Sequence, residues 1–192
     1  ADALAAAGVA PAFLVNNAGF GAIGSFAGSD VEAQLGMIDL NVRALTALTH
    51  RFLPQIVSAR GGILNVASIA AFAPGPGMAV YYASKAFVLS FSEALAQELA
   101  KQGVRVTALC PGPVVTGFQA RAGFDPAMLK SMGPAVLSAR ATAEAGYEGL
   151  MAGRRVVVPG SANKALARAM AWIPHAILLP QLLARQSRRI TK

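Results

Sequence analysis

Short apolar runs at 12–16, 63–67, 104–110 and 155–159 read as strands. The stretches between them, 29–53, 79–101 and 135–152, read as helices, the first two rich in alanine and leucine on more than one face. Ser29-Asp30-Val31-Glu32 has the spacing of a capping box and marks the start of the first helix. Pro54 is expected to end or kink that helix, and Arg60-Gly61-Gly62 to turn the chain into the second strand. Such alternation of strand and helix argues for right-handed crossovers and a parallel sheet, an α/β fold. Three strands run into polar or glycine-rich segments: Asn16-Asn17-Ala18-Gly19, Ser68, and Pro111-Gly112-Pro113-Val114-Val115-Thr116. Ligands of open α/β sheets bind beyond the carboxyl ends of the strands, so these segments mark one candidate site.

Composition bounds the answer without naming it. The chain has 192 residues, 55% hydrophobic and 14% charged, enough for one domain with an ample core. Cys110 is the single cysteine, so no intrachain disulfide can form and nothing recommends an oxidising compartment. At a strand end it reads as a small core residue. His50 and His175 have no ligand-like spacing with acids or with Cys110, so no metal site is expected. Gly19-x-Gly21-x-x-Gly24 has the glycine spacing of dinucleotide sites, but it leads into Ser25-Phe26-Ala27-Gly28 rather than directly into a helix and reads as a loop.

The sharpest chemical signal is Tyr81-Tyr82-Ala83-Ser84-Lys85, thirteen residues after Ser68. On a helix Tyr81 and Lys85, four apart, share one face. Bringing a free tyrosine from pH 10 into the neutral range requires about 4 kcal/mol in favour of the phenolate. One cation at ~4 Å and an effective dielectric near 20 supplies a similar amount, against which burial works. Tyr82, three residues before Lys85, is also within reach on a helix. Asn41 and Ser68, taken alone, read as a helix polar residue and a turn serine, and Thr116 as the start of a turn.

Taken together, Asn16-Asn17-Ala18-Gly19, Asn41, Ser68, Tyr81-x-x-x-Lys85 and Pro111-Gly112-x-Val114-x-Thr116 closely resemble the short-chain dehydrogenase/reductase family, in order and spacing, over about residues 1–160. The resemblance implies the C-terminal part of a Rossmann-type, three-layer α/β/α domain that transfers hydride between NADP or NAD and a carbonyl compound or alcohol. It implies Tyr81 as general acid/base, chosen over Tyr82 by the four-residue interval to Lys85. Lys85 would lower the Tyr81 pKa and hold the nicotinamide ribose, Ser68 would bind the substrate oxygen, and Asn41 would position a water contacting Lys85. Asn17, Ala18 and Gly19 would line the cofactor, with Pro111, Gly112, Val114 and Thr116 at its nicotinamide end. The segment 117–133, with Phe118, Phe124, Met128, Leu129 and Met132 between glycines, would close over a small hydrophobic substrate. Family members begin with a strand and glycine-rich turn that this sequence does not contain. The expectation is a longer natural chain or a truncated relative, with the apolar edge of the 12–16 strand covered by a missing half, a partner or a rearranged dimer.

Charge sets residues 161–192 apart as a basic, apolar C-terminal helical extension. They hold Lys164, Arg168, Arg185, Arg188, Arg189 and Lys192 and no acid, interleaved with Met170, Trp172, Ile173, Ile177, Leu178, Leu179, Leu182 and Leu183. The mixture suits a flap over the substrate pocket with its basic residues in water, or peripheral contact with an anionic membrane. Pro174 and Pro180 interrupt it, and it is too short to span a bilayer. The basic residues do not interleave with several aromatics, so nucleic acid is not an expected partner. A cytoplasmic homodimer or homotetramer paired through the alanine- and leucine-rich helices fits the resemblance. Two other function classes stand beside the dehydrogenase: a binding or scaffold protein without redox turnover, and a cofactor-independent hydrolase using Ser68, which the absence of a Gly-x-Ser-x-Gly elbow opposes.

Overall fold

The computed structural model describes residues 2–123 and 133–190. Its strands are β1 (Phe13–Asn16), β2 (Gly62–Val66), β3 (Arg105–Leu109), β4 (Val114–Val115), β5 (Leu137–Ser138) and β6 (Val156–Val157). One parallel sheet runs in the order β1-β2-β3-β6, and β4 pairs with β5 in a separate parallel ladder. The helices are α1 (Asp2–Ala6), α2 (Val31–Ile38), α3 (Leu45–Ser58), α4 (Ala79–Leu99), α5 (Phe118–Ala122), α6 (Ala139–Met151), α7 (Ser161–Trp172) and α8 (His175–Ile190).

Strand alternation divides the core into two layers. Leu14, Ile63 and Val106 pack on one face against Phe52 and Ile56 of α3 and Leu95 and Leu99 of α4. Leu64, Leu109 and Val157 face the other way, against Leu150 of α6. Helices on both faces make the three-layer α/β arrangement that the family resemblance implies. Fully buried Ile56 and Ile63 each contribute about 2 kcal/mol through removal of apolar surface from water. Among the described residues β1 pairs only with β2, and Phe13 and Val15, on the face opposite Leu14, are 45% and 56% exposed.

Several boundaries differ from the expected ones for identifiable reasons. Asp30, not Ser29, caps α2: its carboxylate accepts from the Glu32 amide at 3.2 Å, while the Ser29 hydroxyl donates to the Phe26 carbonyl at 2.8 Å. Pro54 does not end its helix, which runs on to Ser58. It lies on the exposed side of α3, where the carbonyl it deprives of a donor can meet water. The helix expected from 135 begins later: Gly133–Ala135 form a 3-10 turn and Leu137–Ser138 the short strand β5, and Ser138 caps α6 by accepting from the Ala141 amide at 3.1 Å. Between α2 and α3, Asp39–Ala44 winds as a π-helix inside one helical rod, an irregularity frequent at functional sites. It carries the buried Asn41.

Candidate active site

Helix α4 builds the centre of the site. Its buried residues, Tyr81, Ser84, Lys85, Val88, Ser92, Leu95, Ala96 and Leu99, recur every three or four positions and form one stripe. Deep in the molecule that stripe carries leucines and alanine. At its N-terminal end it carries a phenol, a hydroxyl and an ammonium instead. Since α4 follows β2 through a short connection, this polar end lies at the carboxyl edge of the sheet.

The sheet's hydrogen bonding extends past the strand ends and fixes the facing loops. Ala67 donates to the Leu109 carbonyl at 2.8 Å and Ile69 to the Pro111 carbonyl at 2.9 Å, which ties the Ser68 turn to the Pro111-Gly112 segment. The Ser68 hydroxyl caps a short 3-10 turn, accepting from the Ala70 amide at 3.1 Å, and lies 3.5 Å from the Pro111 carbonyl. The Ser68 side chain also lies close enough to Tyr81 to act on the phenol's titration. Tyr82 stands edge-on to Tyr81, ring centres 6.1 Å apart, and Phe118 lies 5.5 Å away.

Asn41 reaches in from the π-helical turn. Its amide donates to the Phe20 carbonyl at 2.9 Å and to the Ser84 hydroxyl at 3.0 Å, and its Oδ1 accepts from the Phe20 amide at 3.1 Å. Ser84 in turn donates to the Tyr81 carbonyl at 2.7 Å. One side chain therefore fastens the loop after β1 to the turn of α4 that lies between Tyr81 and Lys85. Gly19 is needed at that junction: a Cβ there would sit 2.9 Å from Asn41 Oδ1 and 3.4 Å from Lys85 Nζ.

Electrostatics depart from the expectation that Lys85 lowers the Tyr81 pKa. Burial is the dominant influence on Tyr81 and pushes it up to about 12, with the Ser68 side chain pulling the other way. Lys85 is pushed down to about 8, also by burial, offset in part by Cys110. Its Nζ donates to the Val66 carbonyl at 2.8 Å and stands 5.9 Å from the centre of the Tyr81 ring. In this state the phenol is held protonated and the lysine is close to its own titration. Burial likewise raises the Cys110 thiol to about 12.

These groups line a largely apolar cavity of about 1280 Å³. Asn17, Gly19, Ser68, Tyr81, Lys85, Pro111, Gly112, Val114 and Thr116 reach its wall; Ala18 does not, and Asn41 lies behind it. Thr116 also caps α5, accepting from the Phe118 amide at 3.2 Å. Of the segment expected to close over the substrate, Phe118 lines the cavity, whereas Phe124, Met128, Leu129 and Met132 lie outside the described residues. Residues of α7 and α8, among them Met170, Leu178 and Leu182, form the opposite wall.

Sequence reasoning missed the supports. Asn16 donates to Thr49 at 3.0 Å and to Asn65 at 2.8 Å, and Asn65 donates to Ser92 at 2.9 Å, a buried polar chain that links β1 and β2 to α3 and α4. An asparagine inside an apolar strand was the available signal for Asn65. Asn163 of α7 lies under Gly112, donating to the Ala135 and Pro159 carbonyls at 3.0 and 3.1 Å. Its Oδ1 has no hydrogen-bond donor and occupies the space a Gly112 side chain would take. Gly112 thus has a packing reason as well as its place on the cavity wall.

The short chain dehydrogenase family matches residues 12–126, more than half of the chain, and the protein belongs to that family. A sulfoacetaldehyde reductase of Chromohalobacter salexigens is 43% identical over 137 residues, 68% of this chain and 54% of its own length. A short-chain dehydrogenase of Sphingobium yanoikuyae, solved with NADPH, superposes with a TM-score of 0.69 at 32% identity, over 85% of this chain and 66% of that one. A Burkholderia cenocepacia short chain dehydrogenase solved with NADP gives 0.70 at 28% identity, over 92% and 70%. The chain spans about half the length of the curated relatives it matches.

Proposed function

We propose that this protein is an NAD(P)-dependent oxidoreductase that interconverts a small hydrophobic carbonyl compound and the corresponding alcohol, with Tyr81 as general acid/base. The observation that carries this reading is the placement of Tyr81 and Lys85 on one buried stripe of α4, with Ser68 beside Tyr81 on the wall of an apolar cavity. Relatives solved with NADPH and NADP support the cofactor class.

The residues present fit the nicotinamide-ribose end of such a cofactor. Lys85 spends one N–H on the Val66 carbonyl and keeps two for hydroxyl groups of a ligand. Gly19 leaves free the space beside Asn41 and Lys85 that a side chain would fill. When bound, the dinucleotide would supply or take up hydride, a hydrogen together with its electron pair. Tyr81, protonated at neutral pH, hands its proton to the carbonyl oxygen in reduction and takes the alcohol proton in oxidation. Ser68 holds that oxygen against Tyr81. Asn41 acts as a positioning residue through Phe20 and Ser84, and Asn17, Pro111, Val114 and Thr116 shape the cofactor side of the cavity.

The test is a melting-temperature titration of the purified chain with NADPH and with NADH. Either nucleotide should raise the transition, since a ligand that binds only the folded state stabilises it by mass action. If neither does so at millimolar concentration, the redox reading fails and the cavity belongs to a binding protein without turnover.

A further inference from the structure

The helical pair α7–α8 presents a surface that the chemistry of the site does not use. Met170 of α7 and Leu178 of α8 are buried, with Leu182 packed beside them against Phe72, Ala73 and Tyr82, so these helices are fastened inward by one apolar stripe. Their outward side is unusual. Trp172 is 86% exposed, and Ile177, three residues into α8, is 55% exposed. Lys164, Arg168 and Trp172 follow one another at four-residue intervals and lie together on the side of α7 away from buried Asn163, Ala167 and Met170. Leu183 is exposed further along α8.

We infer that this surface docks onto an anionic lipid bilayer. Charge complementarity selects that occupant. Residues 161–192 contain six basic residues and no acidic one, which favours a negatively charged surface and opposes a second copy of the same basic face. An indole that is apolar on its body and polar at its N–H, flanked by isoleucine and by cations one and two turns away, suits the interfacial zone of a membrane. Among the described residues no helix is long and apolar enough to cross a membrane, so the contact is peripheral.

Trp172 is the single tryptophan of the chain and therefore reports directly on this surface. Its emission should shift to the blue when the purified protein meets vesicles of phosphatidylcholine mixed with phosphatidylglycerol. It should not shift with phosphatidylcholine alone, and about 0.5 M salt should reverse the effect by screening. A Lys164→Glu/Arg168→Glu variant, altered only at exposed positions, should keep its circular dichroism and partition at least about tenfold less onto the anionic vesicles. Lys164→Gln/Arg168→Gln should fall between the two. An unshifted spectrum on anionic vesicles overturns the inference, as does an equal shift on neutral ones. A blue shift that grows with protein concentration in the absence of lipid assigns the surface to self-association and overturns it too.

Discussion

The amide of Asn41 donates to the hydroxyl of Ser84 at 3.0 Å, joining the π-helical turn to the helix that carries Tyr81 and Lys85. Asn41 is 1% exposed and its side chain is bonded on both amide atoms, so removing it strands partners rather than opening a contact to water. Asn41→Leu should lower the unfolding free energy by about 2–4 kcal/mol, the cost of leaving buried donors and acceptors unpaired. Urea denaturation measures this. An effect below about 0.5 kcal/mol would show that the amide does not hold Phe20 and Ser84 together.

Gly112 and Asn163 should be coupled. A Cβ at Gly112 would overlap the fully buried Asn163 side chain, so Gly112→Ala must displace α7 or the loop and should cost about 1–3 kcal/mol. Asn163→Ala strands the Ala135 and Pro159 carbonyls but opens the space. In the double variant the two costs should fall short of their sum by at least about 1 kcal/mol. Additive costs in a double-mutant cycle would remove the packing explanation for this glycine.

Stability should rise and then fall across alkaline pH. Lys85, depressed to about 8 from the usual 10.5, binds its proton more weakly in the folded chain, so its contribution is present above 10.5 and lost as pH falls through 8. Tyr81, raised to about 12 from 10, contributes stability that is present below 10 and lost as pH rises through 12. Cys110, raised to about 12 from 9, follows the same sign from a lower starting point. Denaturation midpoints should therefore increase from pH 8 to 9, level off where Lys85 and Cys110 oppose each other, and decline beyond 10. Lys85→Met should remove the rising limb, and Cys110→Ala should lengthen it. Midpoints that change monotonically from pH 8 to 12 in all three proteins would contradict these shifts.

The elements that were legible in the sequence are those set by local pattern. The four sheet strands and α4 follow from apolar runs and helical spacing, and the Tyr81–Lys85 interval needed only the knowledge that α4 is a helix. What depended on through-space packing was not legible. The Tyr81 pKa runs opposite to the expected direction because burial, named at the outset as the opposing influence, outweighs the pairing with Lys85, and its extent could not be read from spacing. Asn16, Ser84 and Asn163 act through partners 49, 43 and 28 residues away, distances at which spacing carries no signal. The π-helical turn is invisible to a 3.6-residue pattern, and that the helix continues past Pro54 depends on its exposure on α3, which could not be read from the chain.

The two adjacent tyrosines should separate cleanly in kinetics. Tyr81 is 8% exposed and faces Ser68 on the cavity wall, while Tyr82 sits one residue along, on the neighbouring side of the helix against the cluster of Ala73, Met170 and Leu178. Under the proposed mechanism Tyr81→Phe keeps the ring and its packing but removes the proton, so turnover should drop by about 10²–10⁴-fold with nucleotide binding retained. Tyr82→Phe should keep turnover within about threefold, since its hydroxyl takes no part in the proton transfer. The protonated state of Tyr81 also sets a direction of pH dependence. Carbonyl reduction uses the phenol that is already present, so its rate should be flat from pH 6 to 8. Alcohol oxidation needs the phenolate, a small fraction when the pKa is about 12, so its rate should climb close to tenfold per pH unit over the same range. Lys85, half titrated at about 8, should bend both profiles at the upper end of that range. Equal losses in the two phenylalanine variants, or an oxidation rate that ignores pH, would take the acid/base role away from Tyr81.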